Sequence, residues 1–446
     1  MTPLAHDLSV LPRARERSET AEARPLRVAF VASSIPRRCG IATFTADILA
    51  AVKAADPTVR TVYAAIDEPS AARAYGPDVR WRIKQDDWRT YRDAALAINQ
   101  TNVDIVNVQH EFGLYGVWHD GTYDDHLKVF LEHLKKPVVT TLHTVAPVPE
   151  PWMREALQSA SEQSDVIVVM AHTAARLLKD VYGIEKEPAI IEHGMPAIEP
   201  RGRHQFKKQF GISGRQIVST FGLVDPRKGL EYVIDAMARI VDRNPTALYL
   251  IVGQTHPELL KKEGEKYRNS LVETARAAGV ADRVMFVNEY LTQRQIVDYL
   301  LATDVYVTPY LDPNQITSGT LAYALGAGKA IVSTPYLHAR EVLANGRGVL
   351  VPFKDAGAIA TAVNGILENP EAKRGLEVRA YDYGKEMAWP AIGRRVLALM
   401  RDILDAQPLP PERPTKKVPA PAERPPMANA PAVPTSGDKL DAVEIA

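Results

Sequence analysis

The chain has 446 residues, 46% of them hydrophobic, a length that suits two domains better than one. Its 54 Lys+Arg balance 54 Asp+Glu, and this zero formal charge argues against a dedicated nucleic-acid binder, which carries a basic excess. A single cysteine, Cys39, excludes an intramolecular disulfide framework and multi-cysteine metal sites, and it fits a reducing, cytoplasmic setting.

In chain order, residues 1–25 mix both charge signs without an apolar run, so a disordered leader is expected rather than a secretory signal. From 26 to 195, short β-branched apolar runs (27–32, 61–66, 104–108, 137–142, 165–170 and 189–192) alternate with helical periods such as Phe44, Ile48 and Val52. The stretch 194–203 carries Pro, Gly and Arg and reads as a linker. From 196 to 388 the pattern repeats, with runs at 216–221, 247–252, 283–287, 305–308, 330–333 and 348–351 and a helical face of Leu230, Val233, Ile234 and Met237. Runs of this size fit buried parallel strands, and none approaches the ~20 residues of a membrane-spanning helix. The fold class is therefore α/β, with two Rossmann-like, doubly wound domains. A last helix within 389–405 aligns Trp389, Ile392, Val396, Met400 and Ile403 on one face. It belongs to neither series and is expected to cross back onto the first domain. Residues 406–446 read as a disordered Pro/Ala-rich tail, since ten of the 30 residues at 407–436 are proline.

Ligands of doubly wound sheets sit beyond the carboxyl ends of the strands, so the residues just after each run are the functional candidates. After the first run, Arg37, Arg38 and Gly40 precede a helix, where peptide N–H groups attract an anion; the alternative is an ordinary strand-to-helix turn. After the third and fourth, Gln109-His110-Glu111 and Thr141-Leu142-His143-Thr144 would aim two histidines and a carboxylate at one cleft. Either histidine could equally be a satisfied structural side chain. Gly222-Leu223-Val224-Asp225-Pro226-Arg227-Lys228-Gly229 puts two cations beside a helix start, a pattern suited to a diphosphate or, failing that, a solvated basic loop. Finally, a polar loop containing Gln315 leads through Ser318, Gly319 and Thr320 into a small-residue helix with Tyr323. There the choice lies between phosphate binding and simple capping. No G-x-G-x-x-G, Walker A loop or G-x-S-x-G elbow is present.

These residues resemble the retaining GT-B glycosyltransferases, of the family 4-like, group 1 kind, over about residues 26–404. The resemblance implies GT-B architecture, with the two domains facing a cleft. The first would be the acceptor domain and the second the nucleotide-sugar domain. It nominates His143, Lys228 and Arg227 as catalytic, and Gly222, Gln315, Ser318, Gly319, Thr320, Tyr323 and Glu341 as donor-binding. Gly40, His110, Glu111 and His193 fall on the acceptor side, His193 standing where the family has an asparagine. The chain departs from the family's pair of glutamates eight positions apart: Gln315 and Tyr323 occupy those places, the tyrosine being similar to the glycogen-synthase branch. Leu223 replaces an expected arginine.

The resemblance implies transfer of glucose or mannose from a nucleotide-diphosphate sugar to a hydroxyl on a carbohydrate or lipid-linked acceptor. It implies no cofactor and no metal, no nucleic-acid partner and no transmembrane segment; peripheral membrane contact stays open. Three alternatives also stay open. One is a phosphorylase or nucleotide-sugar epimerase on the same scaffold. The second is a non-catalytic glycan- or nucleotide-binding descendant. The third is an oxidoreductase, which the missing dinucleotide fingerprint disfavours.

Overall fold

Burial on both faces turns the apolar runs into strands. The computed structural model describes residues 24–37, 39–69 and 73–406, so the leader and tail expectations, and Arg38, fall outside the described residues. In the first lobe the strands are β1 (Arg27–Ala32), β2 (Arg60–Asp67), β3 (Val79–Lys84), β4 (Ile105–His110), a hairpin of β5 (Gly116–His119) and β6 (Thr122–Asp125), then β7 (Val138–Leu142), β8 (Val166–Val169) and β9 (Ala189–Ile190). In the second lobe they are β10 (Gln216–Phe221), β11 (Ala247–Val252), β12 (Val284–Val287), β13 (Val305–Thr308), β14 (Ala330–Ser333) and β15 (Val349–Leu350).

The first lobe's parallel sheet runs β3-β2-β1-β4-β7-β8-β9, with Val28 registering against Thr61 on one side and Ile105 on the other. The second runs β12-β11-β10-β13-β14-β15. In both sheets the order reverses beside the first strand, at β1/β4 and β10/β13, and a crevice opens beyond the carboxyl ends there. The loops 33–40, 109–112, 221–229 and 309–319 all emerge at these two points.

Two elements were missing from the sequence reading. Strand β3 reads Val-Arg-Trp-Arg-Ile-Lys, an alternating edge strand with its arginines exposed. Its signal was period-2 alternation, not an apolar run. The hairpin β5/β6 stands outside the main sheet and turns at Asp120 and Gly121, both in the left-handed region.

The chain crosses between lobes twice, at one place. The Met195 amide donates to the Met387 carbonyl at 3.0 Å, and the Trp389 amide donates to the Met195 carbonyl at 2.8 Å. A Cβ on Gly194 would sit 2.1 Å from the Trp389 ring, so only glycine fits that crossing. Beyond it, the helix Trp389–Ala406 lays Ile392, Val396, Met400 and Ile403 on Phe44, Ile48 and Val52 of the first lobe. Its apolar stripe is the reason it returns: left beside the second lobe, that face would stay in water.

Candidate functional site

The second lobe's contribution begins where β10 ends. Asp225 caps a short 3-10 turn, Pro226–Lys228, and accepts from the Arg227 amide at 2.9 Å. The same carboxylate takes both arms of the Arg227 guanidinium, Nε and Nη2, each at 2.9 Å. Of the two cations that the sequence puts in this loop, Arg227 is therefore paired within its own turn. Burial would raise the Asp225 carboxyl, but the hydrogen bonds from Arg227 and its charge together hold it below the usual carboxylate range. Gly229 follows at φ 62°, where a Cβ would lie 2.4 Å from the Pro309 carbonyl oxygen. This close approach presses the turn against the loop after β13.

Lys228 is set down on that loop. Its Nζ lies 3.7 Å from the centroid of the Tyr310 ring, a cation–π contact that orients the ammonium without discharging it. The Tyr310 hydroxyl shares a 2.7 Å hydrogen bond with Thr320 Oγ1, which in turn lies 3.1 Å from Ser318 Oγ. Ser318 caps the helix Gly319–Gly326 by accepting from the Leu321 amide, while its own amide donates to His338 Nδ1 at 3.0 Å. Residues 228 and 318–320, expected to share one anion, are thus linked side chain to side chain through Tyr310. Thr320 supports the cluster rather than the cap. His338, buried and pushed down to a pKa of about 4 by desolvation, is a neutral acceptor for the Ser318 amide.

In the first lobe, His143 follows β7 and accepts the return of the neighbouring strand: its amide donates to the His110 carbonyl at 3.0 Å. Its Nε2 lies 2.8 Å from Gln109 Oε1. An amide oxygen only accepts, so Nε2 carries the proton and Nδ1 is the basic nitrogen. Burial, with smaller effects from His193 and His110, lowers the imidazole's pKa to about 3. Glu111 accepts from the Thr144 hydroxyl and from the Phe112 amide, both at 2.9 Å, and burial lifts its pKa to about 7 despite those bonds. His143 and Thr144 meet Arg227, Lys228, Gln315 and Thr317 around one cavity of about 330 Å³ between the lobes.

Other candidates are placed differently. His110 is enclosed between Phe112 and Tyr115 and is 2% exposed, so its side chain does not face the cleft as expected. Gly40 opens its helix with nothing within 4 Å of a would-be Cβ, but Arg37 pairs with Glu68 rather than standing free. Gln315 donates to the Thr317 carbonyl at 3.0 Å, bracing its loop. His193 is not confined to the acceptor side: it packs on Phe44, and its Nε2 lies 3.1 Å from where a Gly319 Cβ would be, at the start of the second lobe's helix.

Glu341 is displaced most. Its carboxylate accepts from the His172 and Thr173 amides at 2.8 Å and from the Thr173 hydroxyl at 2.7 Å, capping a first-lobe helix, His172–Asp180. Burial would raise its pKa, but these bonds bring it below the ordinary value. Tyr323 likewise reaches the lobe boundary: Gln293 Nε2 donates to its hydroxyl at 2.9 Å and to Asp47 Oδ2 of the first lobe at 3.1 Å. Both residues clasp the lobes instead of lining the cavity.

The neighbouring carboxylates Asp124 and Asp125 differ. Asp124 is exposed, while Asp125 accepts from the Leu127 amide and is raised by burial to a pKa of about 6. Among the described residues no group of three His, Cys, Asp or Glu could hold a metal ion. No described helix is long and apolar enough to cross a membrane.

The sequence gives no site role to Phe44, Gln109, Tyr310 or His338, all of which the structure places beside candidate residues. Phe44 packs edge-on against His143, His193 and Trp389. Gln109 and Tyr310 each lie at or just past a strand's carboxyl end beside the switch point, which was the available signal.

Comparison with known proteins agrees with this arrangement. A family model described as Glycosyltransferase Family 4 matches residues 38–196, and one described as Glycosyl transferases group 1 matches 202–386. A phosphatidyl-myo-inositol mannosyltransferase of Mycolicibacterium smegmatis is 26% identical over 194 residues, covering 43% of this chain and 46% of its own length. From the same organism, a GDP-mannose-dependent alpha-(1-6)-phosphatidylinositol monomannoside mannosyltransferase is 24% identical, covering 56% of this chain and 65% of its own. The matches therefore span about half to two thirds of these relatives. The crystal structure of Anabaena HepE in complex with UDP superposes with a TM-score of 0.65 at 15% identity, over 84% of this chain and 100% of that one, a likeness of fold.

Proposed function

We propose, for a chain that belongs to the GT-B glycosyltransferases with family 4 and group 1 domains in tandem, that it moves a hexosyl group from a nucleotide-diphosphate sugar to a hydroxyl acceptor. Transfer retains the anomeric configuration and uses no resident metal ion. The observation that carries this reading is the cavity of about 330 Å³ between the lobes, with Lys228 on its second-lobe wall and His143 and Thr144 on its first-lobe wall.

The chemistry follows from where charge develops. As the bond between the anomeric carbon and the phosphate oxygen breaks, negative charge grows on the leaving diphosphate. Lys228 is the cation held for it, since Asp225 already occupies Arg227. The free amides at the start of the helix Gly319–Gly326 add partial positive charge. These groups act more strongly on the transition state than on the bound donor, which is what accelerates the step. On the other wall, the new bond forms from the acceptor oxygen to the anomeric carbon. The proton it releases passes to the Glu111 carboxylate through the Thr144 hydroxyl. His143, neutral at any working pH, offers a hydrogen-bond acceptor at Nδ1 rather than a charge. The mannosyltransferases among the relatives support a hexose donor.

The test is a melting-temperature screen with UDP, GDP and ADP and their sugars, followed by product analysis with the donor that binds. One nucleotide is expected to raise the melting point and its sugar to be transferred. No shift with any nucleotide, in protein that melts cooperatively, would overturn the reading.

A further inference from the structure

Beyond the reaction cavity, the first lobe carries an aromatic surface that leads away from it. Trp152 is the centre. Phe112 meets it edge-on at 5.4 Å, Trp118 at 5.3 Å and Tyr123 at 4.7 Å. Trp118, on the hairpin β5/β6, is 55% exposed. This hairpin has no part in the sheet, and although Trp118 packs on Trp152 and Tyr123, half of it stays in water. Chain connectivity places it close to the reaction cavity. Phe112 follows Glu111, and Glu111 binds Thr144, which lines the cavity.

On its far side the aromatic surface opens into a groove of about 760 Å³ between the helices Leu127–His133 and Pro151–Gln163. Tyr123 and Trp152 line it together with Asp124, Glu132, Glu155 and Glu162. Lys128 is the only cation among its lining residues. Carboxylates accept hydrogen bonds from hydroxyls and repel anions. The exposed Trp118 ring, with the partly buried Trp152 beside it, offers a flat apolar face with a polar edge, of the kind that the C–H faces of sugar rings cover.

Resting on the glycosyltransferase reading, we infer that the acceptor is a neutral saccharide chain, not an anionic lipid headgroup. Its reacting end lies at Thr144, and its distal rings stack on Trp118 and Trp152 before entering the acidic groove. A phosphoinositide of the kind named for the relatives would meet carboxylates where its phosphate needs cations.

The experiment titrates intact protein with neutral gluco-, manno- and galacto-oligosaccharides of one to seven residues, followed by tryptophan fluorescence. Vesicles containing anionic phosphatidylinositol form a parallel arm. Affinity is expected to rise with chain length for at least one series. It should fall roughly three- to tenfold in Trp118→Ala, about the worth of one aromatic contact, and return in Trp118→Tyr. Trp118 is half exposed on a hairpin outside the main sheet, and nucleotide affinity at the Lys228 site, with the melting temperature, serves as the control for folding. Saccharide affinity that ignores chain length, or vesicle binding that depends on Trp118, overturns the inference. Loss of nucleotide binding in the wild type, with length-dependent saccharide binding retained, would instead strike the transferase reading and leave the groove's ligand class standing.

Discussion

The two walls of the cavity use opposite electrostatics. The second lobe offers a cation on an aromatic ring, two hydroxyls and a helix start, all tied to one another. The first lobe offers a neutral imidazole and a carboxyl whose proton comes and goes near neutral pH. Under the proposed function the difference separates two tasks: fixed positive charge for the leaving diphosphate, and proton-handling groups for the incoming hydroxyl. A fixed charge keeps its effect across pH, whereas a titrating group imposes a profile.

The sharpest way to break this division is Lys228→Ala. With folding intact, its transfer rate is expected to fall on the order of a hundredfold, as removal of a transition-state charge partner does. A loss of nucleotide affinity without a loss of rate at saturating donor would mean that Lys228 only binds.

Glu111→Gln probes the other wall. Wild-type rate should climb with pH through about 7, where the Glu111 carboxyl ionises, and the variant should lose that limb together with about a hundredfold in rate. Stability gives an independent sign. Because burial raises this pKa, the folded state holds the proton that the unfolded state releases, so stability drops as pH rises from about 4.5 through 7. Glutamine removes that drop, and the variant should melt no lower than wild type at pH 8.

Smaller effects are expected where candidates turned out to be clasps. Glu341→Ala leaves the His172 and Thr173 amides uncapped and should cost about 1–2 kcal/mol in a denaturant titration. Its bonds lower the folded pKa, so this contribution is present above about pH 4.5 and fades as acid protonates the carboxyl. Tyr323→Phe loses one partly exposed hydrogen bond to Gln293 and should change stability by less than about 1 kcal/mol, with donor affinity preserved. A large donor defect there would put Tyr323 back in the site.

The contrast between lobes also explains what could be read from sequence. Strands buried on both faces announce themselves as apolar runs, so β1, β10 and β11 were legible; β3, an edge strand with alternating arginines, was not. The return of the last helix was legible because Trp389, Ile392 and Val396 share a face that needs cover. Loop residues were legible as a set, since strand carboxyl ends gather at the switch points. Their individual partners were not. The Arg227 pairing with Asp225 is local, two residues apart, but nothing local tells Glu341 to reach a helix 169 positions earlier. That choice depends on how the two lobes meet.

The most direct measurement is a crystal structure with UDP or GDP, whichever nucleotide the melting screen selects. The expected result is the diphosphate between the Lys228 ammonium and the amides at the start of the helix Gly319–Gly326, with His143 and Thr144 across the cavity. A diphosphate bound elsewhere, with Lys228 still resting on Tyr310 and no anion beside residues 318–320, would contradict the assignment of charge to the second lobe.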